Sequence, residues 1–204
     1  MILFIHGFGS CGWGEKSLKL RRHFGVDQVI APDLPFHPAQ AIDHLQGLVE
    51  RHPVRALVGS SLGGFYATCL NALRPLPTVL INPVVRPHEL LADHLGQQHR
   101  WCDDLAFQLA VDDLHTLAGL QRHSLAPGEH YLVLLQQGDE LLDYRQAAAF
   151  YARMDVWEIP GGSHRFEHLQ RYLPQIADWL GEHTGTRHRR GRVQRRRDAG
   201  NTSM

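Results

Sequence analysis

The stretch VGSSLGGF, residues 58–65, sets two adjacent serines among glycines directly after the apolar run VRALV. The run before it reads as a strand covered on both faces, and FYATCLNAL after it is compatible with a helix. A strand that turns sharply into a helix through Gly-x-Ser-x-Gly is a nucleophile elbow. Gly59-Ser60-Ser61-Leu62-Gly63 fits that frame with Ser61 at its centre. The central residue of such a turn occupies a strained backbone conformation, and side chains two positions to either side would collide with neighbouring elements. Centring the frame on Ser60 puts Val58 and Leu62 at those positions, which defeats the geometry. Ser61 is therefore the candidate nucleophile, and Ser60 the variable position beside it.

A serine hydroxyl is a weak nucleophile near neutral pH and needs a base that a third group orients. After an elbow, the acid and then the histidine are expected, each following a later strand. The strand-like YLVLLQQ (131–137) is followed by GDELLD, and DVWEIP (155–160) by GGSH. Asp139 and His164 thus stand where acid and base are needed. Glu140 and Asp143 compete with Asp139, but Asp143 reads as the cap of the following helix, and Glu140 lies one step further into the turn. The oxyanion of a tetrahedral intermediate needs backbone donors. The N–H groups of Leu62, after the nucleophile, and of Phe8, in the loop GFGS after the first strand, are the candidates.

Around these residues strand-like and helix-like runs alternate. Further strands read at 1–5, 28–33, 55–60 and 78–82, and helices at PAQAIDHLQGLVERH, DYRQAAAFYAR and FEHLQRYLPQIADWL. Pro38 suits a first helical position, and Pro174 marks a kink or restart. The alternation predicts an α/β fold, a doubly wound and mostly parallel sheet of about six strands. From Val84 to His130 helical periodicity runs on without a convincing strand, so residues 84–130 are expected to form a helical, cap-like insertion.

Composition is ordinary for a soluble globular chain of one domain, with 43% hydrophobic and 21% charged residues among 204. No apolar run is long enough to span a bilayer, so no membrane partner is expected. The three cysteines have no metal-type spacing and are odd in number, which argues against a disulfide framework and for a reduced, cytoplasmic setting. The net charge of zero hides an asymmetry: from His183 onward there are seven arginines and one aspartate. Residues 183–204 read as a disordered basic tail after a folded unit of 1–182. Arginine clusters attract phosphate, so the tail alone keeps nucleic acid open as a partner.

The pieces LFIHGFGS, PDLP, VGSSLGGFYAT, INPVVRP, GDELLDYRQA and GGSHRFE, in that order, give the chain a resemblance to the α/β-hydrolase family, and within it to the small bacterial YqiA-like esterases. The resemblance implies a hydrolase-type sheet and esterase or thioesterase activity on a small acyl ester or thioester. It also implies a triad of Ser61, Asp139 and His164; the triad mechanism is expected to need no cofactor or metal. The basic tail is not part of the pattern. Three other readings compete. Gly7-Phe8-Gly9-Ser10-Cys11-Gly12 with Asp33 imitates a dinucleotide-binding fingerprint, although WGEKS separates the glycines from the next helical pattern. His164-Arg165-Phe166-Glu167-His168 spells an inverted zinc-peptidase motif, although Gly161 and Gly162 argue for a loop there. A non-catalytic hydrolase-shaped binding protein is the third, but such a protein is expected to have lost a triad member. Phe8, Trp13, Phe65, Trp101 and Phe107 are candidate pocket aromatics, and the sequence does not set acyl length or leaving group.

Overall fold

The computed structural model describes residues 1–185. Its main sheet holds six parallel strands: β1 (Ile2–Ile5), β2 (Val29–Ile30), β3 (Ala56–Ser60), β4 (Thr78–Ile81), β7 (Tyr131–Gln136) and β8 (Asp155–Ile159). Their order across the sheet is β2-β1-β3-β4-β7-β8. A small antiparallel pair, β5 (Gly96–His99) and β6 (Ala106–Leu109), lies in the long connection between β4 and β7. The expected strands are all present, the second shortened to two residues at the sheet edge. Pro32 follows closely there and has no N–H to give a ladder.

Helices cover both faces, which is why the central strands read as unbroken apolar runs. In β1 all four residues are buried. Leu3 and Ile5 face the cluster built with α2 (Pro38–Arg51) and α3 (Leu62–Leu73). Ile2 and Phe4 face the cluster that includes Leu20 of α1 (Glu15–Phe24) and Ile176 and Leu180 of α7 (Leu173–His183). Each fully buried aliphatic side chain stabilises the fold by about 1.5–3 kcal/mol relative to exposure.

Several local expectations need correction. The 84–130 connection is not helical throughout. Between α4 (Pro87–Leu90) and α5 (Val111–Leu120) it holds the β5–β6 hairpin, which its polar sequence GQQH conceals because little apolar alternation marks it. The helix expected from Phe166 starts only at Leu173, with Pro174 in its first turn. Phe166 and His168 sit at φ of 60° and 57°, in the left-handed region that ends helical continuity. Its apolar spacing reflects burial of Phe166 and Leu169 from a loop and a short 3-10 turn. Of the alanine-rich segment 143–153, Tyr144–Phe150 forms α6, capped by Asp143, whose carboxylate accepts the Arg145 N–H at 3.1 Å.

The cysteine expectation also fails. Cys11 and Cys102 form a disulfide with their Cα atoms 6.4 Å apart, while Cys69 is free and buried. The two lie 91 residues apart in sequence, and only the fold-back of the hairpin makes them neighbours. An odd count is equally consistent with one bridge and one buried thiol, so the cysteine argument for a reduced, cytoplasmic setting falls away. No described helix is long and apolar enough to cross a membrane. Of the tail assigned to 183–204, His183 ends α7, and residues 186–204 lie outside the described residues.

Candidate active site

Ser61 stands at the carboxyl end of β3 as the residue preceding α3, at φ 54° and ψ −121°. For a non-glycine residue this is costly, about 1–3 kcal/mol, and persists only where surroundings enforce it. They do so here through two glycines: a Cβ on Gly59 would collide with the Gly63 carbonyl, and one on Gly63 with the Ile5 carbonyl. The backbone is pinned by the Ser61 N–H donating to the Ile81 carbonyl at 3.1 Å.

The structure brings the three expected side chains together. His164 Nε2 lies 3.0 Å from Ser61 Oγ, and His164 Nδ1 lies 2.8 Å from Asp139 Oδ2. A carboxylate only accepts, so Nδ1 carries the proton and Nε2 faces the hydroxyl as an acceptor. Asp139 is nearly inaccessible, its side chain 2% exposed. Its Oδ1 also accepts the N–H groups of Leu141 and Leu142 at 3.0 and 2.9 Å. The contact is with Ser61 and not Ser60, whose frame the sequence rejected. Glu140, the rival acid, has a different place. Its carboxylate accepts the backbone N–H of His164 at 2.9 Å, and that bond holds its pKa below the ordinary value.

The loop after β1 lies against the elbow, where a Cβ on Gly7 would sit 3.2 Å from Ser61 Cβ. The Phe8 and Leu62 N–H groups take no hydrogen-bond partner among the described residues, so both remain free to donate. His6 organises this loop. The Leu34 N–H donates to His6 Nε2 at 3.2 Å, which leaves the ring proton on Nδ1 to donate to the Gly7 carbonyl at 2.9 Å. Burial pushes the His6 pKa below its ordinary value and keeps the ring in this neutral form. The Gly7 carbonyl and the Phe8 N–H belong to one planar peptide, so fixing the carbonyl aims the N–H the opposite way.

Sequence reasoning missed the residues that hold the histidine loop. Asn82, at the end of β4, donates from Nδ2 to the carbonyls of Ser163 and His164 at 3.0 and 3.2 Å, and its Oδ1 accepts the Gln136 N–H at 2.9 Å. Gln136 Oε1 accepts the N–H groups of Ser163 and Glu167 at 3.0 and 2.8 Å. The available signal was a polar residue at the carboxyl end of an otherwise apolar, buried strand.

Beside the loop after β1 the β5–β6 hairpin is tied down at several points. The Trp101 N–H donates to the Gly9 carbonyl at 2.7 Å, Arg100 pairs with Asp33 at 3.3 Å and with Asp103, and the disulfide joins Cys102 to Cys11. Of the candidate pocket aromatics, Phe107 packs edge-on to Phe8 and stacks on Phe36, Phe65 is core, and Trp13 and Trp101 are exposed.

Both motif-based rivals lose their geometric basis. Asp33 accepts the Gly12 N–H at 2.7 Å and pairs with Arg100, so it is not presented to a ribose. The sheet order also places β1 between β2 and β3, unlike the dinucleotide fold with strand order 3-2-1-4-5-6. His164 and His168 do not share a helical face, since His168 is left-handed and His164 is engaged with Ser61.

Residues 1–181 match the model of a family described as "Uncharacterised protein family (UPF0227)". Among curated relatives, the UPF0227 protein YcfP of Salmonella paratyphi A is 26% identical over 193 residues, covering 86% of this chain and 96% of its own length. UPF0227 protein YE1706 of Yersinia enterocolitica is 27% identical over 194 residues, with the same coverages, 86% and 96%. Among solved structures, Est1E from Butyrivibrio proteoclasticus superposes with a TM-score of 0.69 at 14% identity, covering 91% of this chain and 88% of that one. A monoacylglycerol lipase of Paleococcus ferrophilus gives 0.67 at 14% identity, covering 89% and 94%. Mouse alpha/beta hydrolase domain-containing protein 10 gives 0.64 at 18%, covering 89% of each chain. At these identities the likeness establishes the α/β-hydrolase fold.

Proposed function

The chain belongs to the UPF0227 family, and from the geometry of its site we propose that it is a serine hydrolase of carboxylic esters or thioesters. The observation that carries this reading is the continuous hydrogen-bonded chain Asp139–His164–Ser61, with distances of 2.8 and 3.0 Å. Ser61 Oγ attacks the substrate carbonyl carbon as its proton passes to His164 Nε2. Asp139 holds the Nδ1–H tautomer and stabilises the imidazolium. The carbonyl oxygen becomes an oxyanion that accepts from the Phe8 and Leu62 N–H groups. Collapse expels the alcohol or thiol with the proton from His164 and leaves an acyl ester on Ser61. Water, deprotonated by His164, then releases the acid and restores the serine. None of these steps draws on a metal or cofactor.

Est1E and the monoacylglycerol lipase among the fold neighbours support the same class. The experiment is reaction with a fluorophosphonate probe followed by peptide mapping. One modified serine, Ser61, is expected, with the modification absent from Ser61→Ala. Modification of Ser60 instead, or of no serine, would refute the reading.

A further inference from the structure

The chemistry above leaves the acyl part of the substrate without a site. A cleft of about 250 Å³ opens between the turn after β4 and the segment following Asp139. Val84, Val85 and Leu90 form one wall, and Leu142 and Ala147 the other. One wall is hydrogen-bonded to the backbone of Ser61 and the other to the carboxylate of Asp139. The Val84 N–H donates to the Ser61 carbonyl at 3.3 Å, and the Leu142 N–H to Asp139 Oδ1 at 2.9 Å. The apolar surface is short. Past it the rim carries Arg86, Glu89, Asp143 and Gln146. Arg86 and Glu89 are paired at 3.2 Å and both are about half exposed.

We propose that this cleft is the acyl site and that it selects short aliphatic acyl groups. The inference rests on Ser61 being the nucleophile. The acyl group stays bonded to Ser61 through both half-reactions, whereas the leaving group must depart before water enters. A cleft whose wall begins at Val84, the residue hydrogen-bonded to the Ser61 backbone, therefore serves the part that stays. At about 250 Å³ the cleft is smaller than the roughly 300–1,000 Å³ of ordinary ligand pockets, which suits a short chain. Longer chains would have to lie across the ion pair at the rim and strip water from charged groups, which is unfavourable.

The test is kcat/KM across two ester series, one varying the acyl chain from acetyl to dodecanoyl on a fixed alcohol, the other varying the alcohol on a fixed acetyl group. In the acyl series, kcat/KM is expected to rise by up to about fourfold per added methylene as far as hexanoyl or octanoyl, then fall for dodecanoyl. Leu142→Trp fills the cleft and is expected to lower the octanoyl-to-acetyl ratio by at least about tenfold, while Leu142→Ala raises the preference for longer chains. A folding defect would scale every substrate alike, so the opposed shifts distinguish occupancy from damage. If Ser61 reacts with fluorophosphonate but the acyl ratio is unmoved in both variants, or the shift follows the alcohol series, the cleft assignment is overturned alone. If Ser61 does not react, the functional reading falls and the cleft assignment with it.

Discussion

Reducing the Cys11–Cys102 bond is expected to cost the fold several kcal/mol while leaving its native arrangement in place. The bridge closes a loop of 91 residues in sequence separation. In the chain-entropy treatment a loop of that length restricts the unfolded state by about 4.6 kcal/mol at 25 °C, an upper value because reduced chains retain structure. The native state loses little in return. The same seam is held by the Trp101 N–H on the Gly9 carbonyl at 2.7 Å and by Arg100 with Asp33 at 3.3 Å. With a urea slope of about 2 kcal/mol per molar, the midpoint should fall by about 2 M, and the slope itself should rise because the released chain is more expanded when unfolded. The assay is urea unfolding of air-oxidised protein with and without dithiothreitol, beside Cys102→Ala without reductant. Thiol titration in denaturant should count one cysteine of the three, Cys69, before reduction and three after it. Three thiols in the oxidised protein, or a midpoint indifferent to dithiothreitol and to Cys102→Ala, would refute the reasoning.

Other perturbations have equally definite expectations. Ser61→Ala should lower ester turnover by at least about 10⁴-fold, whereas Ser60→Ala, which removes a hydroxyl outside the Asp139–His164–Ser61 hydrogen bonds, should cost less than about tenfold in the same assay. Asp139→Asn should lower kcat by about 10⁴-fold by favouring the wrong imidazole tautomer, seen in pre-steady-state acylation. His6→Phe should lower kcat by about 10²-fold, the cost of a misaimed oxyanion donor, with little change in KM. His6 also sets an acid limit. Burial holds its pKa below the ordinary 6.5, so its full contribution is present above 6.5 and unfolding takes up a proton below it. Stability is lost as pH falls through the folded value, a slope that thermal melts across pH should show and His6→Phe should lack. Gly63→Ala should abolish soluble folded protein, because its Cβ would meet the Ile5 carbonyl; circular dichroism of the purified variant checks this.

The fold was legible because its central strands are buried on both faces, and Ile2–Ile5 and Tyr131–Gln136 contain no exposed position to break the apolar run. The elbow was legible for a steric reason, since only glycine fits at 59 and 63. What the sequence hid is everything decided by distant contact. The GQQH strand has no apolar alternation of its own and is held by pairing with Ala106–Leu109. Cys11 and Cys102 gave no signal because their proximity is a property of the hairpin's position. Phe166 shared the spacing of a helical face yet is buried from a left-handed loop. Glu140 was weighed only as an acid, when its bond is to the His164 backbone.

The same division explains how the candidate site keeps its shape. At the ends of three strands a buried side chain bonds the backbone around the site: His6 after β1, Asn82 after β4 and Gln136 at the end of β7. Each bonds the backbone of a loop bearing a candidate reacting group or oxyanion donor, and His6 and Asn82 also accept the N–H groups of Leu34 and Gln136. Such groups stabilise only when fully paired, since an orphaned buried donor or acceptor costs about 1–3 kcal/mol. Loss of the Asn82 amide would leave the Ser163 and His164 carbonyls and the Gln136 N–H without their present partner at once. A partly paired arrangement of these loops is correspondingly costly. Ser61 can remain in a strained conformation, and His164 within 3.0 Å of it, because this polar scaffold and the glycine contacts leave neither an easy place to relax.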